Sequence, residues 1–181
     1  MKINVLQIHI GDTSEREQYM KTVRDFAERN GHDYKLIDTI PVDLKHLHVR
    51  NASDHLRMRV LSTEPYHFYL DSDVEIIVEK IAFTKQPQFY LHIDNAMYNG
   101  ANLDLFARIH KKMIDKKGVP IAEEGLIYSA FAACVQEDYT EYLRNSGEAE
   151  FMVWKNEISD YRKWVQPRAA LIHHGLTMNR R

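Results

Sequence analysis

The chain has 181 residues, of which 44% are hydrophobic and 28% charged, and its formal net charge is −2. This length suits one domain with a sizeable core, the composition is that of a soluble globular protein, and the charge excludes a general nucleic-acid binder. No apolar run approaches the roughly 20 residues of a membrane-spanning helix, and residues 1–5 indicate a strand and not a signal peptide. Cys134 is the single cysteine, which excludes an internal disulfide and fits a reducing cytosol. We therefore expect one domain over residues 1–181, located in the cytoplasm.

The first part of the chain has a β-α-β pattern, with strands expected at residues 2–10 and 33–37 around one helix. Ser14-x-x-Glu17 matches a capping box and predicts the start of that helix. Five residues at helical spacing are expected on its inner side: Tyr19, Met20, Val23, Phe26 and Ala27. Strand-helix-strand order predicts a parallel sheet and an α/β fold.

A second helix is predicted after a loop at residues 38–50. Ser53 or Asp54 can cap this helix, because both side chains accept hydrogen bonds from backbone N–H groups. Asp54 and Arg57 are three residues apart and therefore share a helix face. The aromatic and apolar residues 66–70 that follow are expected to form a buried strand.

That strand ends in the sequence Asp71-Ser72-Asp73. If the chain stays extended there, the two aspartates point the same way, and their carboxylates repel unless a cation lies between them. Mg²⁺ and Mn²⁺ are hard ions that take oxygen ligands and commonly bridge to substrate phosphates. The alternative interpretation is a pair of solvated turn aspartates after a strand.

The second half of the chain continues the alternation of helices and strands. Strands are expected at 74–78, 88–93 and 169–172, helices at 103–117, 123–134, 139–143 and 150–164, and an Asn-Gly turn within 94–102. His173 and His174 follow the last strand, and an imidazole there is a candidate third ligand for a metal held by Asp71 and Asp73. The alternative for the two histidines is an exposed polar tail.

The segment from Ser53 to Asp73 resembles the sugar-donor site of retaining glycosyltransferases with the GT-A fold. In family 32 and in the clostridial glucosylating toxins, a helix with Ser-Asp-x-x-Arg precedes a strand that ends in Tyr-Leu-Asp-x-Asp. The matching residues are Ser53, Asp54, Arg57, Tyr69, Leu70, Asp71, Asp73 and Val74. The Gly-Gly pair that often precedes the tyrosine in family 32 is replaced here by other residues. The resemblance implies a minimal GT-A fold, Rossmann-like, with a mixed and mostly parallel sheet flanked by helices.

The resemblance also implies roles for residues outside this segment. In family 8, a histidine in a C-terminal His-x-x-Gly segment completes the metal site, which points to His173 or His174. A Phe-Asn-x-Gly segment lines the donor sugar in that family, which points to Asn99 and Gly100, although these two residues are adjacent here; a plain turn is the alternative. Further candidates are Glu123 or Glu124 beside the reactive carbon, Gln7 and His9 at the nucleotide base, and Tyr69 at the donor. The helix dipole alone also explains the two glutamates, and a plain strand and turn also explains Gln7 and His9.

These implications predict a metal-dependent, retaining glycosyltransferase that uses Mn²⁺ or Mg²⁺. Asp54 and Arg57 are expected to position the sugar of a nucleotide-diphosphate donor, and the acceptor is a glycan, a protein or a modified DNA base. Two alternatives stay open. One is a metal-dependent nucleotidyltransferase, which also carries an aspartate pair on a strand, and the other is a non-catalytic module that binds a sugar nucleotide or a protein.

Overall fold

The central feature of the computed structural model is a five-stranded mixed sheet. The structure describes residues 1–85, 87–89, 96–123, 126–135, 152–154 and 171–174. The strands of the central sheet, in chain order, are β1 (Asn4–Ile8), β2 (Asp33–Ile37), β3 (His67–Asp71), β5 (Gln88–Phe89) and β6 (Ala96–Tyr98). Their order across the sheet is β2-β1-β3-β6-β5. The β1 strand is parallel to β2 and β3, whereas β6 is antiparallel to β3 and β5.

A second, three-stranded sheet joins distant parts of the chain. It contains β4 (Val74–Ile76), β7 (Met152–Trp154) and β8 (Leu171–His173) in the order β4-β8-β7. The β4–β8 pairing is antiparallel and sets Val74 opposite His173. Because only two residues separate the end of β3 from the start of β4, this pairing brings His173 to the loop that carries the aspartate pair.

Helices cover both faces of the central sheet, as the α/β expectation requires. They are α1 (Glu17–Arg29), α2 (Val49–Thr63), α3 (Leu103–Lys112) and α4 (Leu126–Val135). Side chains alternate along a strand, so Tyr69 packs in the core on the side of α2, α3 and α4, while Phe68 and Leu70 pack on the side of α1 and the second sheet. No helix among the described residues is both long enough and apolar enough to cross a bilayer.

The buried face of the first helix was predicted correctly, but its N-terminal cap was not. The five residues expected on its inner side are all buried. However, α1 begins at Glu17 after Arg16, and no side chain caps it. The Ser14 hydroxyl and backbone N–H instead donate to the Asp12 carboxylate, and Glu17 pairs with Arg24. The capping-box prediction was therefore wrong, because a local turn uses the serine.

The start of α2 is a second correction. The helix begins at Val49, and the His48 imidazole caps it by accepting from the Arg50 N–H at 3.3 Å. Ser53 and Asp54 therefore lie inside α2 and are buried, where a cap cannot act. The loop prediction for residues 38–50 was also incomplete, because residues 42–44 form a 3-10 helix.

Three further elements differ from the expectation. The 94–102 segment contains the buried strand β6, and the helix after it ends at Lys112, since Ile114 and Pro120 form a bridge across a tight turn. Residues 152–154, expected within a helix, form β7, because pairing with β8 overrides helical spacing. The helix expected at 139–143, and the rest of 150–164, lie outside the described residues.

Candidate active site

Three side chains converge at the edge where the parallel strands β1 and β3 end. The candidate ligand atoms of Asp71, Asp73 and His173 all lie within 4.8 Å of one another. The His173 Nε2 is 3.2 Å from an Asp73 carboxylate oxygen, and both of these side chains are buried. The Asp71 side chain is 24% exposed, so the group opens to solvent on that side. Ligands bind at this edge of open α/β sheets, outside the carboxyl ends of the strands.

The donor set of these residues fits a hard or borderline divalent cation. Two carboxylates supply oxygen ligands, and an imidazole suits Mn²⁺ better than Mg²⁺. The structure thus brings together three of the four residues that the sequence offered as metal ligands, Asp71, Asp73 and His173.

A buried ion pair on α2 adjoins Asp71. The Arg57 guanidinium lies 2.7 Å from an Asp54 carboxylate oxygen and 3.6 Å from an Asp71 carboxylate oxygen. It also lies over the Tyr69 ring, 4.6 Å from the centroid. The Tyr69 hydroxyl donates to Asp71, and burial raises the pKa of this phenol well above its usual value, so it stays a donor. The helix and the strand therefore hold Asp71 from two sides.

The second histidine, His174, faces away from the aspartate pair. Its Nε2 lies 2.9 Å from a Glu75 carboxylate oxygen, and its ring stacks on Tyr19 of α1 with 3.8 Å between centroids. Its backbone N–H donates to the Asp73 carbonyl at 3.0 Å. Of the two histidines that the sequence offered as ligands, the structure brings only His173 to the group.

The structure places Gln7 and His9 at the end of β1, next to the aspartate loop. Gln7 is fully buried, and its amide donates to the Asp71 carbonyl and accepts from the Tyr34 hydroxyl, both at 3.1 Å. His9 is also buried and contacts Ser72. Gln7 and His9 therefore lie at the edge where the nucleotide base was expected to bind. The contacts described for both side chains are with other groups of the protein.

Asn99 and Gly100 lie at the opposite end of β3, which corrects their expected placement. The Asn99 amide accepts from the His67 N–H at 2.8 Å and donates to the Leu61 and Glu64 carbonyls at 2.8 and 2.7 Å. His67 begins the strand that Asp71 ends, so about 13 Å of strand separates them at ~3.3 Å per residue. The sequence could not show this, because β6 runs antiparallel and carries Asn99 to the far edge.

The remaining candidates lie before α4. Glu123 is exposed, and its carbonyl accepts from the Leu126 N–H at 3.4 Å. Glu124 lies outside the described residues. Among the described residues, no contact joins Glu123 to Asp71, Asp73 or His173.

Two residues at this edge were not singled out from the sequence. Ser72, between the aspartates, contacts His9 at 3.0 Å, and the buried Arg16 at the start of α1 contacts the same imidazole at 3.3 Å. The position of Ser72 inside the aspartate motif was a usable signal. Arg16 gave none, since a single arginine in a turn looks like a surface residue.

Comparison with known proteins supports the fold. No family model matches the sequence, and no characterised protein matches it at the sequence level. A solved structure that matches is a glycosyltransferase involved in the glycosylation of the major capsid of PBCV-1. It superposes with a TM-score of 0.66 over 97% of this chain and 94% of that chain, at 12% sequence identity. The chain therefore has the mixed α/β fold of a glycosyltransferase.

Proposed function

We propose that this chain is a metal-dependent glycosyltransferase that takes a sugar from a nucleotide-diphosphate donor. The observation that carries the proposal is the convergence of Asp71, Asp73 and His173 at the carboxyl edge of the parallel strands. The same fold is used by the capsid-glycosylation enzyme, and the resemblance of the Asp54–Asp73 segment points to the same class.

The proposed chemistry divides between the metal ligands and the α2 ion pair. Asp71, Asp73 and His173 would hold Mn²⁺ or Mg²⁺, which as a Lewis acid stabilises negative charge on the diphosphate leaving group. Arg57 and Asp54 position the donor sugar, and Tyr69 fixes the Asp71 carboxylate through its hydroxyl. The proposal includes retention of the anomeric configuration, because the glycosyltransferase families that the sequence resembles retain it.

The proposal includes three classes of acceptor. Glycans, proteins and modified DNA bases all offer hydroxyl groups, and the capsid substrate of the structural neighbour favours testing protein-linked glycans first. We also propose a cytoplasmic location, which the single cysteine favours.

A donor panel tests the proposal. The protein is incubated with UDP-, GDP- and dTDP-sugars in the presence of Mn²⁺, and free sugar, nucleoside diphosphate and sugar 1-phosphate are quantified. Release of sugar and nucleoside diphosphate supports a glycosyltransferase. Sugar 1-phosphate, which is left when the nucleoside monophosphate is transferred, supports a nucleotidyltransferase instead. Binding without turnover of any donor supports a non-catalytic module.

The aspartate pair provides a sharper test within this assay. Asp73→Asn keeps the shape of the side chain but removes its charge, so Mn²⁺-dependent donor turnover should fall at least about 100-fold, or ~2.7 kcal/mol of barrier. Asp104→Asn, at an exposed residue of α3, serves as the matched control and should retain full turnover. Equal turnover in both variants would remove Asp73 from the proposed metal site.

A further inference from the structure

A buried hydrogen-bond network ties the middle residue of the aspartate motif to the end of β1. In the parallel register Ile8 lies opposite Asp71, so the next residues, His9 and Ser72, are neighbours. The Ser72 hydroxyl lies 3.0 Å from the His9 Nδ1. The His9 Nε2 lies 2.8 Å from the Asp12 carbonyl oxygen. Gly11, with φ of +109°, allows the tight turn that returns this carbonyl to the imidazole.

The partners of the His9 ring fix its tautomer. A carbonyl oxygen only accepts, so the Nε2 must carry the proton that bonds to Asp12. The Arg16 guanidinium, which only donates, lies 3.3 Å from the Nδ1, so the Nδ1 acts as an acceptor. The Ser72 hydroxyl must therefore donate its hydrogen to His9. The partner of the Ser72 hydroxyl is therefore an imidazole that has contacts at both ring nitrogens.

This anchoring has a consequence for the two neighbouring carboxylates. The serine is buried and tied toward β1 and the start of α1, whereas Asp71 and Asp73 gather with His173. Two carboxylates this close repel when no cation is bound, and a loop free to rotate would relieve the repulsion by separating them. The hydrogen bond between Ser72 and His9 opposes that movement and keeps the two carboxylates close together.

We propose that His9 is a positioning residue for the metal site: as an imidazole with its proton on Nε2, it preorganises Asp71 and Asp73 by holding Ser72. The inference rests on the proposed function, because it takes the aspartates as metal ligands. His9 reaches the ligands through Ser72 and is not itself a ligand. Groups that hydrogen-bond metal ligands directly contribute about 10- to 100-fold to metal affinity, and His9 acts one step further away, through the backbone of Ser72, so the lower end of that range is expected.

The affinity for Mn²⁺ alone tests the role without any turnover. Free Mn²⁺ is followed by electron paramagnetic resonance during titration of the wild type, Ser72→Ala, His9→Phe and the double variant. Ser72→Ala removes one hydroxyl and should keep the fold, while its Mn²⁺ affinity falls by about tenfold or more. The double variant should bind Mn²⁺ only slightly more weakly than the weaker of the two single variants, because both substitutions break the same hydrogen bond. His46→Ala, at an exposed histidine, is the control and should bind as the wild type does.

The outcomes separate this inference from the function on which it rests. If the wild type binds Mn²⁺ and Ser72→Ala binds it equally well, the positioning role is overturned while the metal site stands. A loss of affinity that only follows the loss of thermal stability across the variants also overturns it, because His9 is then a fold residue alone. A wild type that does not bind Mn²⁺ overturns both proposals.

Discussion

At the scale of single residues, the most consequential feature is a charged pair kept away from water. Asp54 and Arg57 are both buried, and only one helical turn separates them on α2. A buried charge is costly unless a partner of opposite sign and hydrogen bonds compensate it. Here the compensation extends beyond the pair, since Arg57 also approaches Asp71 and covers the Tyr69 ring. The positive charge of Arg57 therefore compensates the negative charges of Asp54 and Asp71.

Replacing Arg57 should destabilise the whole protein. Arg57→Met keeps much of the side-chain volume but leaves Asp54 buried without its cation, so the free energy of unfolding should drop by about 3–5 kcal/mol. Urea denaturation measures the change. Arg24→Met breaks a comparable but exposed pair with Glu17 and should cost less than about 1 kcal/mol. Similar losses in the two variants would contradict the burial argument.

At the scale of one element, the end of β8 gives two adjacent histidines different neighbours. Side chains alternate in direction along an extended chain, so His173, the last residue of β8, points to Asp73, while His174, the residue after it, points to Glu75 and packs on Tyr19. The end of this strand thus supplies one side chain to the candidate metal site and the next to the packing against α1.

This alternation predicts different consequences for the same substitution. His173→Ala should reduce Mn²⁺ affinity at least about tenfold, because one candidate ligand is lost. His174→Ala should leave Mn²⁺ affinity near that of the wild type, but should lower stability by about 1–3 kcal/mol through the lost bond to Glu75 and the lost stacking. Calorimetric titration and thermal unfolding of both variants measure the two effects. A reversal of the pattern would assign the ligand role to His174.

At the scale of the whole molecule, two histidines meet where α2 packs against α3, of which His55 is buried and His110 is half-buried. The rings of His55 and His110 meet edge to face, with 5.9 Å between centroids. Burial lowers the pKa of His110 to about 4, and the nearby His55 and Arg59 act in the same direction. Burial also lowers the pKa of His55; its bond to the Ile121 carbonyl and the charge of Asp54 oppose this, while Arg59 and His46 reinforce it. Both imidazoles are therefore neutral in the folded protein near neutral pH.

These pKa values predict a loss of stability in mild acid. The folded pKa of His110 lies below its unfolded value of about 6.5, so the unfolded chain binds more protons between about pH 4 and 6.5. Stability should therefore fall as the pH decreases through this window. Urea midpoints at pH 7.5 and pH 5 measure the loss, and His110→Gln should reduce it. An unchanged pH dependence in His110→Gln would contradict the prediction.

The sequence by itself determined the features that depend on local spacing. The buried face of α1 and the stop at Gly31, with φ of +67°, follow from the helical period and from glycine's freedom in the left-handed region. The pairing of Asp54 with Arg57 follows from their separation by three residues. The position of the aspartate pair at a strand end likewise follows from a buried run that stops at charged residues.

Only the tertiary structure decided which of the candidates meet. The direction of β6 carried Asn99 away from Asp71, and the pairing of β8 with β4 brought His173 rather than His174 to Asp73. The parallel register of β1 and β3 set His9 beside Ser72. Residues that are far apart in sequence come together through strand order and register, which hydrogen bonding and burial across the whole sheet select, so no short pattern encodes them.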